Sequence, residues 1–596
     1  MSRRTLRAAV AGAAALAVTA TLGATIGAAP ATSAASTACP QAYPVDQLRS
    51  DISAADQAGT SVPVHGSTVS RGTTPEPFTG TAIGVLDDGI APGVDLVLVR
   101  LTSPEIDRVG GIWEGMSGSP VYAADGDLIG AVSYGLSYGP SPVAGVTPAA
   151  DMQALLGGGS TAATPARKVV LTRSLARKVV ASGAATPSEV AGGYSPIRTP
   201  MVVSGLRAGK RLNDLGKALH LDGRLMAGSA STTSSPAYDI VPGGNLVASI
   251  SYGDVTAAAV GTATAVCGND VIGFGHPFNF AGKTSYAMQG ADAVYVQEDS
   301  LGAPFKLANL GAPVGTVTGD HLAGIAGTLD SPPKASPVTS SATFGSRSRT
   351  GSTYVVVPDA MPDLAASTMV AEQDRVLDYV GKGSGRASWT ITGHRSNGSE
   401  FQVKRTDYYD DPYDISYATA GDLYSALYRI ASSSAAPVID SVTTSSKLDD
   451  RTGGYRIQGV QARDHGVWHH LARASVVKVK AGTTRLFRVR LASSTWGARE
   501  LVVGLRVPRG LAGLRAPAAV IGAGGQAGGG EEFLYFDSSQ QEPLGSVLND
   551  LADSPQRDQV LVRLGGGGPE GSLAEARRGT GHVVTGHRSF RIRVIR

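Results

Sequence analysis

The sequence predicts a mainly β protein built from several domains. Its 596 residues allow about three to five domains of ordinary size. Glycine is abundant, with 77 residues, while aromatic residues make up only 6%; this composition is typical of short strands joined by many tight turns. Hydrophobic residues make up 42% and charged residues 17%, which supplies several apolar cores and excludes a disordered chain.

The first 38 residues are predicted to be a secretory signal peptide. Arg3, Arg4 and Arg7 precede an apolar stretch that runs to about residue 26, and small residues follow it. The arginine pair leaves open whether export uses the general secretory or the twin-arginine route. No other segment is long and apolar enough for a membrane span. We therefore expect a secreted, extracellular protein.

The charge balance argues against a nucleic-acid partner. The net charge of the whole chain is +3, and three of its positive charges lie in the predicted signal. Binding of a nucleic acid or of an acidic polymer calls for concentrated positive charge, so the sequence gives no reason to expect either partner.

Cys39 and Cys267 are the two cysteines of the chain. In an oxidising compartment such a pair predicts one disulfide, with lipidation of Cys39 as the alternative. Two thiols cannot supply the four ligands of a structural zinc site. We expect no metal and no organic cofactor.

Short apolar runs separated by turn sequences place strands in the first half of the chain. Such runs occur at 82–86, 95–101, 120–123, 128–133 and 143–146, with Asp-Gly and Pro-Gly pairs among the turns between them. A basic, alanine-rich segment at 155–235 is interpreted as a bridge, with a helix predicted near 173–182. Short strands with glycine turns return over 236–335.

The second half of the chain divides into two β-rich regions. Residues 336–435 are predicted to hold strands and one helix at about 418–432, where Leu423, Leu427 and Ile430 follow helical spacing. Residues 436–596 alternate polar and apolar residues in a manner typical of a β-sandwich. The glycine tracts at 522–530 and 565–568 are interpreted as linkers or loop tips.

The segment Gly115-Met116-Ser117-Gly118-Ser119-Pro120 is the strongest candidate for chemistry. A serine nucleophile needs a tight turn that exposes Oγ and directs backbone N–H groups at the developing oxyanion. Gly115 and Gly118 allow that turn because glycine adopts positive φ without a Cβ clash. We expect the N–H groups of Gly115 and Ser117 to form the oxyanion hole. The alternative is a β-turn that happens to carry serine.

His276 is the histidine best placed to act as a base for this serine. It follows the apolar run Val271-Ile272-Gly273-Phe274-Gly275 and precedes Pro277, so it is expected at a constrained corner. The alternative is a histidine that only ends a strand. The other histidines lack such a setting.

The motifs around these two residues resemble those of the SpoIVB family of serine peptidases, relatives of the trypsin-like double β-barrels. The resemblance rests on Gly110-Gly111-Ile112, on Gly115 through Tyr122, on Leu128-Ile129-Gly130-Ala131-Val132 and on Phe274-Gly275-His276-Pro277. It implies a trypsin-like double β-barrel over residues 50–335, with a serine half at 80–150 and a histidine half at 236–335. It also implies that Ser117 is the nucleophile and His276 the general base of an endopeptidase.

The chain departs from the family pattern in two ways. Ser117 precedes His276, which implies a permuted order of the two halves, and triads tolerate any chain order. The expected Asp before the serine turn is absent, since Thr102-Ser103-Pro104-Glu105 occupies that place. Asp95 is favoured as the acid because its strand resembles the acid-bearing strand of trypsin-like enzymes. Asp254 and Asp320 remain alternatives.

Two functions follow as expectations. The first is a secreted serine endopeptidase that cleaves a protein or peptide substrate and is restricted, in one version, to itself or one partner. The second is a catalytically inactive binding or structural protein of the cell envelope. In either case the C-terminal β-domain is a candidate for contact with the cell wall or a partner protein.

Overall fold

The computed structural model describes residues 38–137, 139–159, 168–219, 221, 225–228, 230–299, 303–525, 542–565 and 572–596. Strands outnumber helices throughout, so the prediction of a mainly β protein is confirmed. The predicted signal peptide, up to residue 37, lies outside the described residues, as does most of the two predicted glycine linkers. No helix of the described chain is long and apolar enough to cross a membrane.

A closed six-stranded β-barrel forms the first ring of the molecule. Helix α1 (Val45–Ala58) precedes it, and α2 (Pro104–Val109) interrupts it. The fourth strand pairs with both the first and the fifth, which closes the ring in the order first, second, third, sixth, fifth, fourth. Its strands are β1 (Val62–Thr68), β2 (Glu76–Ala91), β3 (Val94–Thr102), β4 (Pro120–Tyr122), β5 (Leu128–Leu136) and β6 (Val143–Pro148).

A bridging segment leads from the first ring to the next sheet. The helix predicted near 173–182 is confirmed as Arg173–Ala181, with a cap at Thr172 and with Leu175 and Val179 buried against the first ring. The segment contains α3 (Ala149–Gln153), α4 (Arg173–Ala181), α5 (Pro187–Ala191), β7 (Tyr194–Pro196), β8 (Met201–Val203), α6 (Lys210–Ala218) and β9 (Leu225–Ala227). Strand β7 pairs with β5, so the bridge begins on the first ring.

The next six strands form a second closed ring of pairings. The first strand of this ring pairs with both its second and its fourth strand, which closes the ring. The strand order around the ring is the same as in the first ring: first, second, third, sixth, fifth, fourth. The strands are β10 (Asn245–Gly253), β11 (Ala257–Cys267), β12 (Asp270–Gly273), β13 (Gly282–Gln297), β14 (Phe305–His321) and β15 (Gly324–Leu329). The bridge ends on this ring, where β8 pairs with β11.

Residues after 335 continue the same sheet. The strand at Arg347–Val355 pairs with β10, so one sheet of thirteen strands contains β8, β9, the second ring and the five strands that follow it. The predicted helix near 418–432 is confirmed as Ile415–Ala431, with the three spaced apolar residues fully buried. The elements are β16 (Ser336–Phe344), β17 (Arg347–Val355), α7 (Met361–Leu377), β18 (Gly383–His394), β19 (Glu400–Asp411), α8 (Ile415–Ala431) and β20 (Val438–Asp449).

Two five-stranded sheets share one apolar core at the C-terminal end of the chain. The first contains β21, β22, β24, β25 and β29, and the second, called here the terminal sheet, contains β23, β30, β26, β27 and β28 in that order. The elements are β21 (Tyr455–Asp464), β22 (Val467–His470), β23 (Val476–Lys480), β24 (Thr484–Ser493), β25 (Gly497–Arg506), β26 (Arg515–Gly522), α9 (Leu544–Asp553), β27 (Gln559–Leu564), β28 (Ala574–Gly579), β29 (Val584–Thr585) and β30 (His587–Ile595). This arrangement has the two layers expected of a sandwich, although β20 at its predicted start belongs to the thirteen-stranded sheet.

Candidate functional site

The turn that carries Ser117 connects the third strand of the first ring to the fourth. Before the turn, Ser103 caps the start of α2, where its Oγ accepts a hydrogen bond from the Ile106 N–H, and Gly110 is the C-cap of the helix. Gly115 and Gly118 have φ values of +94° and +99°, as the sequence predicted. A Cβ at position 118 would lie 1.9 Å from the Thr262 carbonyl oxygen, so only glycine fits there.

Both rings hold the Ser117 turn by backbone hydrogen bonds. The Gly118 N–H donates to the Val132 carbonyl of the first ring at 2.7 Å. From the second ring, the Thr262 N–H donates to the Ser117 carbonyl at 2.9 Å, and the Thr264 hydroxyl donates to the Gly118 carbonyl at 2.7 Å. The serine therefore lies at the contact between the two rings.

The two N–H groups predicted to form an oxyanion hole are free. The N–H groups of Gly115 and Ser117 donate to no acceptor among the described residues, whereas those of Met116 and Ser119 close local turns at 3.0 Å. A buried amide without an acceptor costs free energy unless a ligand uses it. The turn can thus offer two donors to an oxygen atom that carries developing negative charge.

His276 lies in the connection between the third and fourth strands of the second ring, the same position that Ser117 has in the first. Phe274 and Gly275 both have a φ of +69°, a strained conformation for phenylalanine. A Cβ added at Gly275 would lie 2.9 Å from Ser133 Cβ. The Gly275 carbonyl accepts a hydrogen bond from the Thr147 hydroxyl at 2.6 Å. The first ring thus fixes the corner that the sequence predicted.

The imidazole of His276 is held in one tautomer. Its Nδ1 lies 2.8 Å from the Pro277 carbonyl oxygen. Because a carbonyl oxygen only accepts, Nδ1 carries the proton and Nε2 has a free lone pair. Burial lowers the pKa of His276 to about 4. The ring is therefore neutral at pH 7, the state that a general base requires.

Ser117 and His276 are both buried, with side-chain atoms that lack partners. Their exposed fractions are 0% and 3%. Neither Ser117 Oγ nor His276 Nε2 has a hydrogen-bond partner among the described residues, so no hydrogen bond joins them in this conformation. Their turns nonetheless pack together, since a Cβ at Gly118 would lie 2.6 Å from the Phe274 nitrogen. Unsatisfied polar atoms in a core each cost about 1–3 kcal/mol and call for an explanation.

Asp95, the acid favoured from the sequence, has other partners. Its carboxylate accepts from the Arg49 guanidinium at 2.6 Å and from the Asp88 N–H at 2.9 Å. These bonds fasten α1 to the turn between β2 and β3. The structure places no hydrogen bond between Asp95 and His276, whose Nδ1 faces a carbonyl instead.

The two alternative acids differ in what they hold. Asp254 accepts from Arg349 and Arg375 at 2.9 and 2.8 Å, which ties the connection between β10 and β11 to β17 and α7. Asp320 is fully buried and accepts backbone N–H groups from Phe278 at 2.8 Å and Asn279 at 2.7 Å. Asp320 is thus the one of the three candidates that binds the loop directly following His276.

Sequence reasoning missed Lys306, a fully buried lysine beside the Ser117 turn. The backbone N–H of Lys306 donates to the Glu114 carbonyl at 3.0 Å. A Cβ added at Gly115 would lie 3.1 Å from the Cβ of Lys306. Its Nζ donates to Asn245 Oδ1 at 2.9 Å and pairs with no carboxylate of the described chain. Burial lowers its pKa to about 7. A lysine in a strand gives no sequence signal that both faces of that strand are covered.

The predicted disulfide is present. Cys39 and Cys267 are bonded and join the start of the described chain to the end of β11. Among the described residues, no group of three or more histidine, cysteine, aspartate or glutamate side chains is arranged to hold a metal ion.

Comparison of the chain with protein-family models, with curated proteins and with solved structures finds no match. The SpoIVB resemblance therefore depends on the motifs quoted above.

Proposed function

We propose that the protein is a secreted serine endopeptidase of the SpoIVB type, with Ser117 as nucleophile and His276 as general base. One observation carries the proposal: two rings of equal strand order bring the same connection of each into contact, one with a free hydroxyl and one with a free imidazole nitrogen. The repeated strand order also supports a trypsin-like double β-barrel in permuted order. Free donors on Gly115 and Ser117 complete the set of groups that acyl transfer needs.

The reaction proceeds in two halves. Ser117 Oγ attacks the scissile carbonyl carbon while His276 Nε2 takes the hydroxyl proton, and the Gly115 and Ser117 N–H groups bind the oxyanion. The C–N bond then breaks, and His276 returns the proton to the leaving amine. Water attacks the acyl-enzyme, again losing its proton to His276, which passes it to the departing Ser117 Oγ as the acid product is released.

Asp320 is the residue that we expect to support His276. Its carboxylate accepts two backbone N–H groups of the loop at 278–279 and a third, at 3.2 Å, from Ala281. Charge-assisted bonds of this kind fix a loop more firmly than neutral ones. Asp320 acts here as a positioning residue, because the imidazole itself bonds to Pro277.

Complete burial of Ser117 limits which substrates can react. A peptide reaches Oγ only after the packed segments around the turn separate. An enzyme with this resting conformation would cleave its own chain or one partner able to open it, and would be silent toward general protease substrates.

A second candidate is a catalytically inactive binding protein. The observation in its favour is that Ser117 Oγ and His276 Nε2 share no hydrogen bond and that a carbonyl, not a carboxylate, faces Nδ1. In this alternative, the Ser117 turn is a feature of the fold and has no catalytic role.

Labelling with a fluorophosphonate followed by intact-mass spectrometry separates the two functions. We expect one adduct on the wild type and none on Ser117→Ala or His276→Ala. Ser340→Ala is the matched control, because Ser340 is equally buried but accepts a hydrogen bond from the Thr444 hydroxyl. An adduct that persists in Ser117→Ala contradicts the site. Because Ser117 is buried at rest, labelling is followed over a long incubation that allows transient local opening of the turn, and absence of any adduct on folded wild type under these conditions favours the binding protein.

The same assay identifies the supporting acid. Asp320→Asn should slow labelling about 10-fold or more, since the loop after His276 loses charge-assisted bonds. Asp95→Asn is expected to leave the rate within about 2-fold, because Asp95 bonds to Arg49 and the Asp88 N–H and not to the loop after His276. The reverse ranking would return the role to Asp95.

A further inference from the structure

The outer face of the terminal sheet carries exposed positive charges for which the described residues supply no counter-charge. Lys478 and Lys480 on β23, Arg591 and Arg593 on β30 and Arg515 on β26 are all exposed and alternate with buried residues, so they share one face. None of the five side chains forms an ion pair or hydrogen bond with another described residue. We call these five residues the basic face.

Three of these charges lie directly opposite one another. Lys478 is in register with Arg593, and Arg593 with Arg515, across three neighbouring strands. Like charges directly opposite on paired strands are destabilising. With strands about 4.8 Å apart, the row places three cations within about 10 Å.

In the other sheet of the sandwich, carboxylates lie beside several of the arginines. Arg488 and Arg490 both lie 3.7 Å from Glu500, and Arg485 lies 3.0 Å from Asp464. A basic composition therefore does not by itself leave cations unpaired in this domain. On the basic face, by contrast, the described residues supply no such carboxylate, and a bound anion would relieve the repulsion.

We propose that the basic face binds a linear polyanion that carries closely spaced phosphate groups. Arginine forks match phosphate oxygens in pairs, and a row of cations across the strands suits successive groups along a polymer. The exposed large hydrophobic residues on this face are Val476 on β23 and Ile595 on β30. They are separate side chains and form no broad apolar patch of the kind that a membrane-inserting surface presents. The proposal is independent of any peptidase activity.

Binding of long-chain inorganic polyphosphate to the full-length protein at several salt concentrations tests the proposal. The test variant is Lys478→Gln/Arg515→Gln/Arg593→Gln, and the control Arg488→Gln/Arg490→Gln/Arg506→Gln removes equal charge from the opposite sheet. We expect the wild type and the control to bind with a steep salt dependence. The test variant should bind more weakly, with a log–log salt slope smaller by about 2, as loss of three phosphate contacts implies.

Thermal unfolding of the same proteins shows whether the variants fold. The test variant should be at least as stable as the wild type, because opposed like charges have been removed. Equal loss of binding in the control, no binding by the wild type at low salt, or binding to phosphatidylglycerol vesicles without binding to polyphosphate would each overturn the proposal.

Discussion

At the scale of single residues, the site combines groups that burial has made unusual. Ser117 offers a hydroxyl without an acceptor, His276 a lone pair without a donor, and Lys306 a buried amine with only an amide oxygen as partner. Each arrangement costs stability, and such costs concentrate at functional sites. The sequence predicted the first two from their glycine-flanked motifs. It could not predict Lys306, because its burial depends on segments distant in the chain.

Lys306 gives the protein a stability penalty that depends on pH. Its pKa is lowered to about 7 in the folded state and is about 10.4 when unfolded, so the unfolded state binds more protons between these values. The penalty is fully present below pH 7 and disappears as the pH rises toward 10.4. Lys306→Met should therefore stabilise the protein by about 2 kcal/mol at pH 6, after the loss of the Asn245 hydrogen bond, and should not stabilise it at pH 10.

Melting temperatures measured from pH 6 to pH 10 check this expectation. The control is Lys283→Met, since Lys283 is exposed on β13 and its removal should shift stability little at any pH. A Lys306→Met variant that is equally destabilised across the whole range would show that Lys306 is needed for packing and not penalised for its charge.

At the scale of elements, local signals predicted more than pairing did. Turn sequences indicated the strands, and the helical spacing of Leu423, Leu427 and Ile430 indicated α8, because both signals depend on residues close together in the chain. The closure of each ring joins strands far apart in the chain, and no local pattern reports it. Strand β20 was predicted in the C-terminal sandwich, because its alternating sequence suits a strand in either sheet. Its parallel pairing with β16, which no local pattern indicates, places it in the thirteen-stranded sheet.

The Ser117 turn provides a test at this scale. Gly118→Ala should destabilise the protein by about 3 kcal/mol or more and abolish fluorophosphonate labelling, because the new Cβ would clash with the Thr262 carbonyl. Gly126→Ala is the matched control: its φ is +95°, against +99° at Gly118, but nothing lies within 4 Å of its Cβ. It should cost about 1 kcal/mol and leave labelling intact. Chemical denaturation and labelling of both variants give the comparison, and equal costs would contradict the proposed clamp between rings.

At the scale of the whole molecule, the repeated strand order organises the site. Each ring contributes its connection between the third and fourth strands, so the contact of two similar units brings the Ser117 turn against Phe274, two residues before His276, across a wide separation in sequence. The sequence indicated such a double unit only through its resemblance to a family. The contact between the rings is set by threonines such as Thr147, Thr262 and Thr264, residues that look unremarkable in any linear pattern.

The disulfide links the N-terminal segment, which pairs with the first ring, to the second ring. Cys267 ends β11 of the second ring, while the segment after Cys39 pairs with the first ring through the Leu128 N–H and the Gln41 carbonyl at 2.8 Å. The bond closes a loop with a sequence separation of 228, for which the chain-entropy estimate is about 5 kcal/mol. Cys39→Ser/Cys267→Ser should therefore unfold at a lower denaturant concentration and should be insensitive to added reductant. Oxidised wild type, reduced wild type and the double variant form the comparison, with the last two expected to coincide. If all three unfold together, the rings are held by their own packing and the N-terminal segment adds no stability.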